Sequence, residues 1–215
     1  MSSPQLILIK ASEDDAARIA DIHMAAFGTN QMLLAQFPTP AIRDELRVTL
    51  REKAIDEIRD PQWAVLVVYD GAGTIISFAK WRRPIPEPEE DRYIEGPWKW
   101  PKGTRLDVLE EWTLKVEEAG ERLLGNTPFY SLSYIGTDPN YERRGAASIL
   151  VNWGLEHGKH ENVPVALEST KNAWPFYEKL GFQGEYLISM TLEDFGDGGA
   201  SVLYEEMCFL FTPHM

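Results

Sequence analysis

Cysteine is nearly absent: Cys208 is the only one among 215 residues, so no disulfide can form within the chain. Stability must therefore come from a packed core rather than from cross-links. The setting of Cys208 in EEMCFLF marks it as a small buried hydrophobe and not a nucleophile. Histidine is scarce as well, and four scattered copies with one thiol give no metal-ligand spacing. Positive charge is in deficit, with 21 Lys and Arg against 34 Asp and Glu, and the resulting −13 repels nucleic acid and anionic membrane. No run approaches the ~20 apolar residues of a membrane span, and the apolar stretch of MSSPQLILIK is too short for a secretory leader. The expectation is a soluble cytoplasmic protein with no nucleic-acid or membrane partner.

What is present suffices for one packed domain: 44% of the residues are hydrophobic, and 1–215 is expected to fold as a single unit. QLILIK reads as a strand. SEDDAARIADIHMAAF reads as a helix with Ser12 at its N-cap and Ile19, Ile22, His23 and Ala26 on one stripe. A second helix is expected from about Pro40 to Arg59, after which WAVLVVYD and TIISFAKWRR flank Gly71 and Gly73 as an antiparallel hairpin. The last third alternates: strand FYSLSYIGT, a helix from Gly145 to about His160, strand VPVALES, a helix around AWPFYEKL, then strands FQGEYLISMTL and SVLYEEMCFLF. This order predicts an α/β (α+β) architecture.

Between the hairpin and that last third lies a stretch that cannot belong to a sheet interior. Residues 84 to 104, beginning PIPEPEEDRYIEG, are dense in proline, charge and tryptophan. A helix with Leu106, Leu109, Trp112 and Val116 at helical spacing follows, with Gly125 beyond its end. Loop and helix together, about 84–125, read as an insertion, and the loop as a lid whose Trp98 and Trp100 form an aromatic wall.

The sequence NYERRGAASILVNWG poses a physical conflict. Ala146, Ile149, Leu150 and Trp153 have the spacing of a helix that begins close to Gly145, so Arg143 and Arg144 sit at its N-terminus. The first helical amides lack intrahelical partners and carry the positive end of the dipole, so cations there are unfavourable unless an anion joins them. A phosphate-bearing ligand resolves the conflict, and Gly145, Ala146, Ala147 and Ser148 are small enough for it to approach the backbone.

Strand, arginine-glycine helix, strand, then YEKLGF together resemble the GNAT acetyltransferase superfamily. Its nucleotide motif, Q/R-x-x-G-x-G/A, is met by ERRGAA, with Glu142, Gly145 and Ala147 in the three slots; an acidic Glu142 stands where a neutral or basic residue is usual. The resemblance implies a mixed, splayed central sheet of about seven strands with flanking helices and a lid-like insertion before the fourth strand. It also implies acetyl-coenzyme A as acyl donor, lying where the fourth and fifth strands part. Ile135 and Thr137 of YIGT would meet the pantetheine arm through their backbone. Arg143, Arg144, Gly145, Ala146, Ala147 and Ser148 would wrap the pyrophosphate, and Thr170 stands where many members carry a cofactor-contacting Asn. Tyr177 aligns with the family's tyrosine near the sulfur, and a phenol of pKa about 10 is protonated at neutral pH and able to donate.

An acceptor amine must lose a proton, directly or through water. Glu168, ending the fifth strand, is the first candidate to take it, followed by Glu110, Glu111 and His23. The leading expectation is an N-acetyltransferase acting on a small-molecule amine by direct attack. A protein N-terminal or lysine acetyltransferase and a noncatalytic acyl-coenzyme A sensor are the alternatives.

Overall fold

The expected alternation of strands and helices recurs in the computed structural model of the chain, which describes residues 5–84, 97–195 and 200–213. β1 (Ile7–Lys10) leads through a 3₁₀ turn into α1 (Ala16–Phe27). Ser12 initiates this turn, donating from its backbone and its hydroxyl to Asp15 Oδ2 at 2.7 and 2.9 Å. α2 (Gln31–Gln36) follows, then α3 (Pro40–Arg59), with Thr39 capping and proline in the first turn, where its missing N–H costs nothing. β2 (Trp63–Tyr69) and β3 (Ile75–Arg82) form the expected hairpin. α4 (Leu106–Leu124), β4 (Tyr130–Thr137), α5 (Ala146–Glu161), β5 (Val165–Thr170), α6 (Trp174–Lys179), β6 (Gln183–Phe195) and β7 (Ala200–Phe211) complete the order.

The seven strands form one sheet, ordered β1-β2-β3-β4-β5-β7-β6, in which only β4 and β5 run parallel. Its two faces bury different side chains of the same strands. Val65, Val67 and Phe78 face α1 and α3, while Ala64, Leu66 and Trp81 join Leu150, Val151 and Leu155 of α5 and Tyr177 of α6. Over β6 and β7, on the face opposite α5 and α6, lies α4. Its stripe is Val108, Trp112, Val116, Ala119 and Leu123, packed on Met190, Ile188, Tyr204 and Cys208. Leu106, expected on that stripe, is 45% exposed, because two residues before Val108 it points around the far side of the helix. The sequence segment read as an insertion thus ends in a helix that covers the sheet.

Close approach of α5 to the sheet depends on Gly154. A methyl group there would stand 2.3 Å from the ring of Trp81, which is fully buried and donates its indole N–H to Leu150 O at 3.3 Å. Overpacking of this kind costs about 1–3 kcal/mol, partly offset by about 1 kcal/mol of helix propensity. Thermal melts should place Gly154→Ala several degrees below wild type, at roughly 2–4 °C per kcal/mol. An unchanged midpoint would show that Trp81 yields freely.

Candidate active site

The sheet opens where its one parallel pair runs out. β4 and β5 are registered only at Tyr130↔Val165, Ser131↔Ala166 and Leu132↔Leu167. Beyond that point Tyr134 to Thr137 pair with β3 alone, and Glu168 to Thr170 with β7 alone. Ser133 has no partner on β3: the register passes from Lys80↔Tyr134 to Trp81↔Leu132, a bulge that bends β4 as it leaves β5. The result is a fork, with unpaired backbone on both inner edges.

One arm of the fork ends in the loop that carries the arginines. Asp138 accepts from the backbone and side-chain amides of Asn140 at 2.9 and 3.0 Å and pairs with Arg18 of α1 at 2.6 Å. Burial raises its carboxyl, but these bonds outweigh it and leave the pKa below the ordinary value. Arg143 holds a left-handed backbone, φ 60°, and Gly145 follows at φ 91°, a conformation glycine adopts without strain. Gly145 is the N-cap of α5, yet no side chain caps the helix, and a Cβ there would meet nothing within 4 Å. The amides of Ala146, Ala147 and Ser148 therefore have no intrahelical or capping acceptor. Arg143 and Arg144 are exposed beside them, with the Arg144 guanidinium 4.8 Å above the Tyr141 ring, and among the described residues neither forms an ion pair. This bare, positive helix start suits the phosphates of a nucleotide.

YEKLGF has a structural role that fixes its tyrosine. Gly181, φ 94°, ends α6 in the left-handed conformation; its N–H bonds Glu178 O, and the next amide, Phe182, bonds Tyr177 O at 3.1 Å. This paired closure, with the Phe182 ring 5.8 Å from that of Tyr177, locks the last turn of the helix. Tyr177 is 5% exposed among Phe176, Phe182 and Phe209. Burial, and secondarily Glu206, raise its pKa, so the phenol stays protonated at neutral pH.

Glu168 leaves the opposite face of the sheet, since its strand neighbour Leu167 points into the α5 core. Burial and the nearby Glu206 push its carboxyl up to about 7. Tyr134 of β4 is within the field of both glutamates. Burial first, then Glu57, Glu206 and Glu168, push its hydroxyl up to about 12, while the residue keeps 37% of its surface open. Ile135 and Thr137 lie on the free arm of the fork, Thr137 Oγ1 2.9 Å from Ser77 Oγ, and Thr170 closes the other arm opposite Glu206.

Other expected site residues stand apart. His23 is 6% exposed against Phe27, Phe78 and Tyr134, and burial followed by Lys80 lowers its pKa to about 3, which makes it a weak base. Glu110 and Glu111 are exposed on α4, the latter 3.7 Å from Lys115. Trp98 and Trp100 stack at 4.3 Å and pack with Leu33, Phe37, Leu46 and Leu50. Phe27 shares their cluster and lies 6.4 Å from Tyr134 at the fork. Residues 85–96, the greater part of the expected lid, lie outside the described residues.

Two features escaped the sequence reading. Glu206 sits between Tyr204 and Cys208 on the inner face of β7; strict alternation in LYEEMCF could have marked it as a carboxylate facing inward. The buried pair of Lys80 and Glu57, 2.5 Å apart, joins a strand to a helix, and no local pattern reveals such a contact. Among the described residues no cluster of His, Cys, Asp or Glu could hold a metal ion, and no helix is long and apolar enough to cross a membrane.

The site combines a mixed sheet forked between its parallel strands with a bare helix N-terminus at the end of one arm. The model of the Acetyltransferase (GNAT) family matches residues 29–182, and the chain belongs to that family. The family is one of acetyltransferases. Over 84 residues it is 34% identical to the probable acyltransferase SID5 of Ajellomyces capsulatus, a match covering 39% of this chain and 56% of that protein, about half its length. Among solved structures it is similar to a histone acetyltransferase HPA2 and related acetyltransferase from Corynebacterium glutamicum. That likeness has TM-score 0.58 and 21% identity and covers 100% of this chain and 98% of the other. It is also similar to the PaiA N-acetyltransferase of Thermoplasma acidophilum in complex with coenzyme A. There the TM-score is 0.54 and the identity 13%, with 97% of this chain and 99% of the other covered. At these identities the two structures speak for the fold.

Proposed function

We propose that this enzyme transfers the acetyl group of acetyl-coenzyme A to the amine of a small molecule by direct attack in a ternary complex. The observation that carries this reading is Glu168 on the free arm of β5, with Tyr177 on the other face packed against Phe209, the partner of Leu167 at the tip of the fork. Acetyl-coenzyme A supplies the activated acyl group. The amides of Ala146, Ala147 and Ser148, with Gly145, Arg143 and Arg144, hold its pyrophosphate; the backbone of Ile135 and Thr137 holds the pantetheine arm, and Thr170 borders it. Glu168 takes a proton from the acceptor nitrogen, and Tyr177 gives one to the departing sulfur. No residue forms a covalent intermediate, in keeping with Cys208 being buried, its thiol pushed up to about 12 by burial and then by Glu168 and Glu206. Trp98 and Trp100, continuous with Phe27, form the outer wall of the acceptor side. The net charge of −13 favours approach of a cationic amine.

The test is release of coenzyme A thiol by the purified protein with polyamines, aryl amines, amino acids, aminoglycosides and short peptides. Acetyl transfer to a small amine is expected; preference for peptides, or binding of acetyl-coenzyme A with no release above hydrolysis, would overturn it. Arg144→Glu should weaken acetyl-coenzyme A binding by roughly tenfold or more, the worth of a charge-assisted contact turned repulsive. Calorimetry reads this directly, and an unchanged dissociation constant would remove the arginine from the phosphate site.

A further inference from the structure

Glu206 has no role in the reaction as described, yet its setting is specific. On β7 it lies across from Thr170, while Glu168 lies across from Cys208, so the two carboxylates leave one face of the sheet two register positions apart. Tyr204, two residues earlier on that face, is bonded through its hydroxyl to Glu206 Oε1, and Asn30 Nδ2 donates to the same hydroxyl at 3.1 Å. The direction of this relay is fixed. Asn30 Oδ1 caps α2 by accepting from Met32 and Leu33, so its amide nitrogen must be the group facing Tyr204, whose own proton is then left for Glu206.

The surroundings offer no ion-pair partner; burial raises the carboxyl of Glu206 itself, and against this the hydrogen bond from Tyr204 favours the charged form. Tyr134 from β4, Tyr177 from α6 and Cys208 from β7 are the ionisable neighbours, and all three are neutral at pH 7. α4 presents Trp112, Val116 and Ala119 to this face. Behind Tyr134 lie His23 of α1 and the Lys80–Glu57 pair, which Lys53 flanks at 4.0 Å. Among the described residues neither Glu168 nor Glu206 forms an ion pair.

We propose that Glu206 is a positioning residue for proton transfer at Glu168, held by the Asn30–Tyr204 relay so that its charge governs when Glu168 carries a proton. This rests on Glu168 as proton acceptor in the reading above. In the step concerned, an N–H bond of the acceptor breaks and an O–H bond forms on Glu168. The freed pair on nitrogen makes the C–N bond as the C–S bond breaks, and sulfur leaves with the Tyr177 proton. Below about pH 7 Glu168 is protonated and cannot accept, so the rate falls as pH falls through that range. Glu206 is the second cause of that elevation after burial. Removing its charge lowers the midpoint without returning it to an ordinary carboxylate value.

The experiment has two arms. Carboxyl ¹³C NMR of the ligand-free protein, with Glu168→Gln to assign the signal, should show Glu168 titrating near 7, and lower by roughly half a unit or more in Glu206→Gln. In thiol-release assays the acid limb of kcat/KM should move down by the same amount, with the KM for acetyl-coenzyme A unchanged. Glu206→Asp, which keeps the charge, should restore both. Lost turnover with an unmoved midpoint and limb would make Glu206 merely structural and overturn the proposal. A moved midpoint with no thiol release from any amine would instead sink the acetyl-transfer reading while leaving the coupling of the two carboxylates intact.

Discussion

Tyr177→Phe is expected to lower turnover by roughly 10²-fold, with acetyl-coenzyme A affinity and melting temperature close to wild type. The ring is what packs: its contacts run to Phe176, Phe182 and Phe209, all of which phenylalanine reproduces. The hydroxyl makes no hydrogen bond among the described residues, so its removal strands no partner. Its raised pKa makes the phenol a weaker acid than free tyrosine but guarantees that a proton is present to give. Water can donate in its place, and that sets a ceiling on the loss. The decisive comparison is calorimetry for the donor beside turnover at saturating amine. Wild-type turnover would refute the acid assignment, and lost affinity with preserved turnover would recast Tyr177 as a cofactor-packing residue.

The second large effect is on stability. Lys80 and Glu57 have side chains 2% and 1% exposed, and deleting one member leaves the other's charge buried. Such losses cost about 3–5 kcal/mol. Lys53 stands 4.0 Å from the other oxygen of Glu57 and compensates in part, so Lys80→Met is expected at the low end, a fall of roughly 10 °C. The double change Lys80→Met with Glu57→Leu should recover most of it, since neither fully buried charge remains and Lys53 keeps Asp56 and Asp60 nearby. Thermal melts of the three proteins decide the matter; a single variant melting with wild type would mean that Lys53 takes over fully.

Periodic patterns made most of the fold legible. α3 runs from Pro40 to Arg59, the bounds expected for it, and Gly181 of YEKLGF closes α6 in the left-handed conformation. α2 was missed because six residues give too few turns for a stripe to repeat; only the cap at Asn30 betrays it. The phosphate-binding half of the site was readable for a local reason, since arginines, glycine and helix start are neighbours in sequence. The acceptor half joins Asn30, Glu168, Tyr204 and Glu206, which meet only because β7 inserts beside β5 instead of following β6 outward. Strand order of that kind is decided by long-range packing, and no window of sequence carries it.

The fork also has a mechanical side. Among the described residues the strand pairing that joins strands β1 to β4 with strands β5 to β7 consists of three registered pairs between Tyr130–Leu132 and Val165–Leu167. Everything past Leu132 is a crack already started, and the remaining stitches lie at its closed tip. Thermal opening should run along this seam, so ligand-free molecules exchange the amides nearest the tip before those of the hairpins on either side. A donor bound as proposed, its arm on the free edge of β4, would be a splint as well as a substrate: on binding, the two halves would become one plate, and each departure would loosen them for the next.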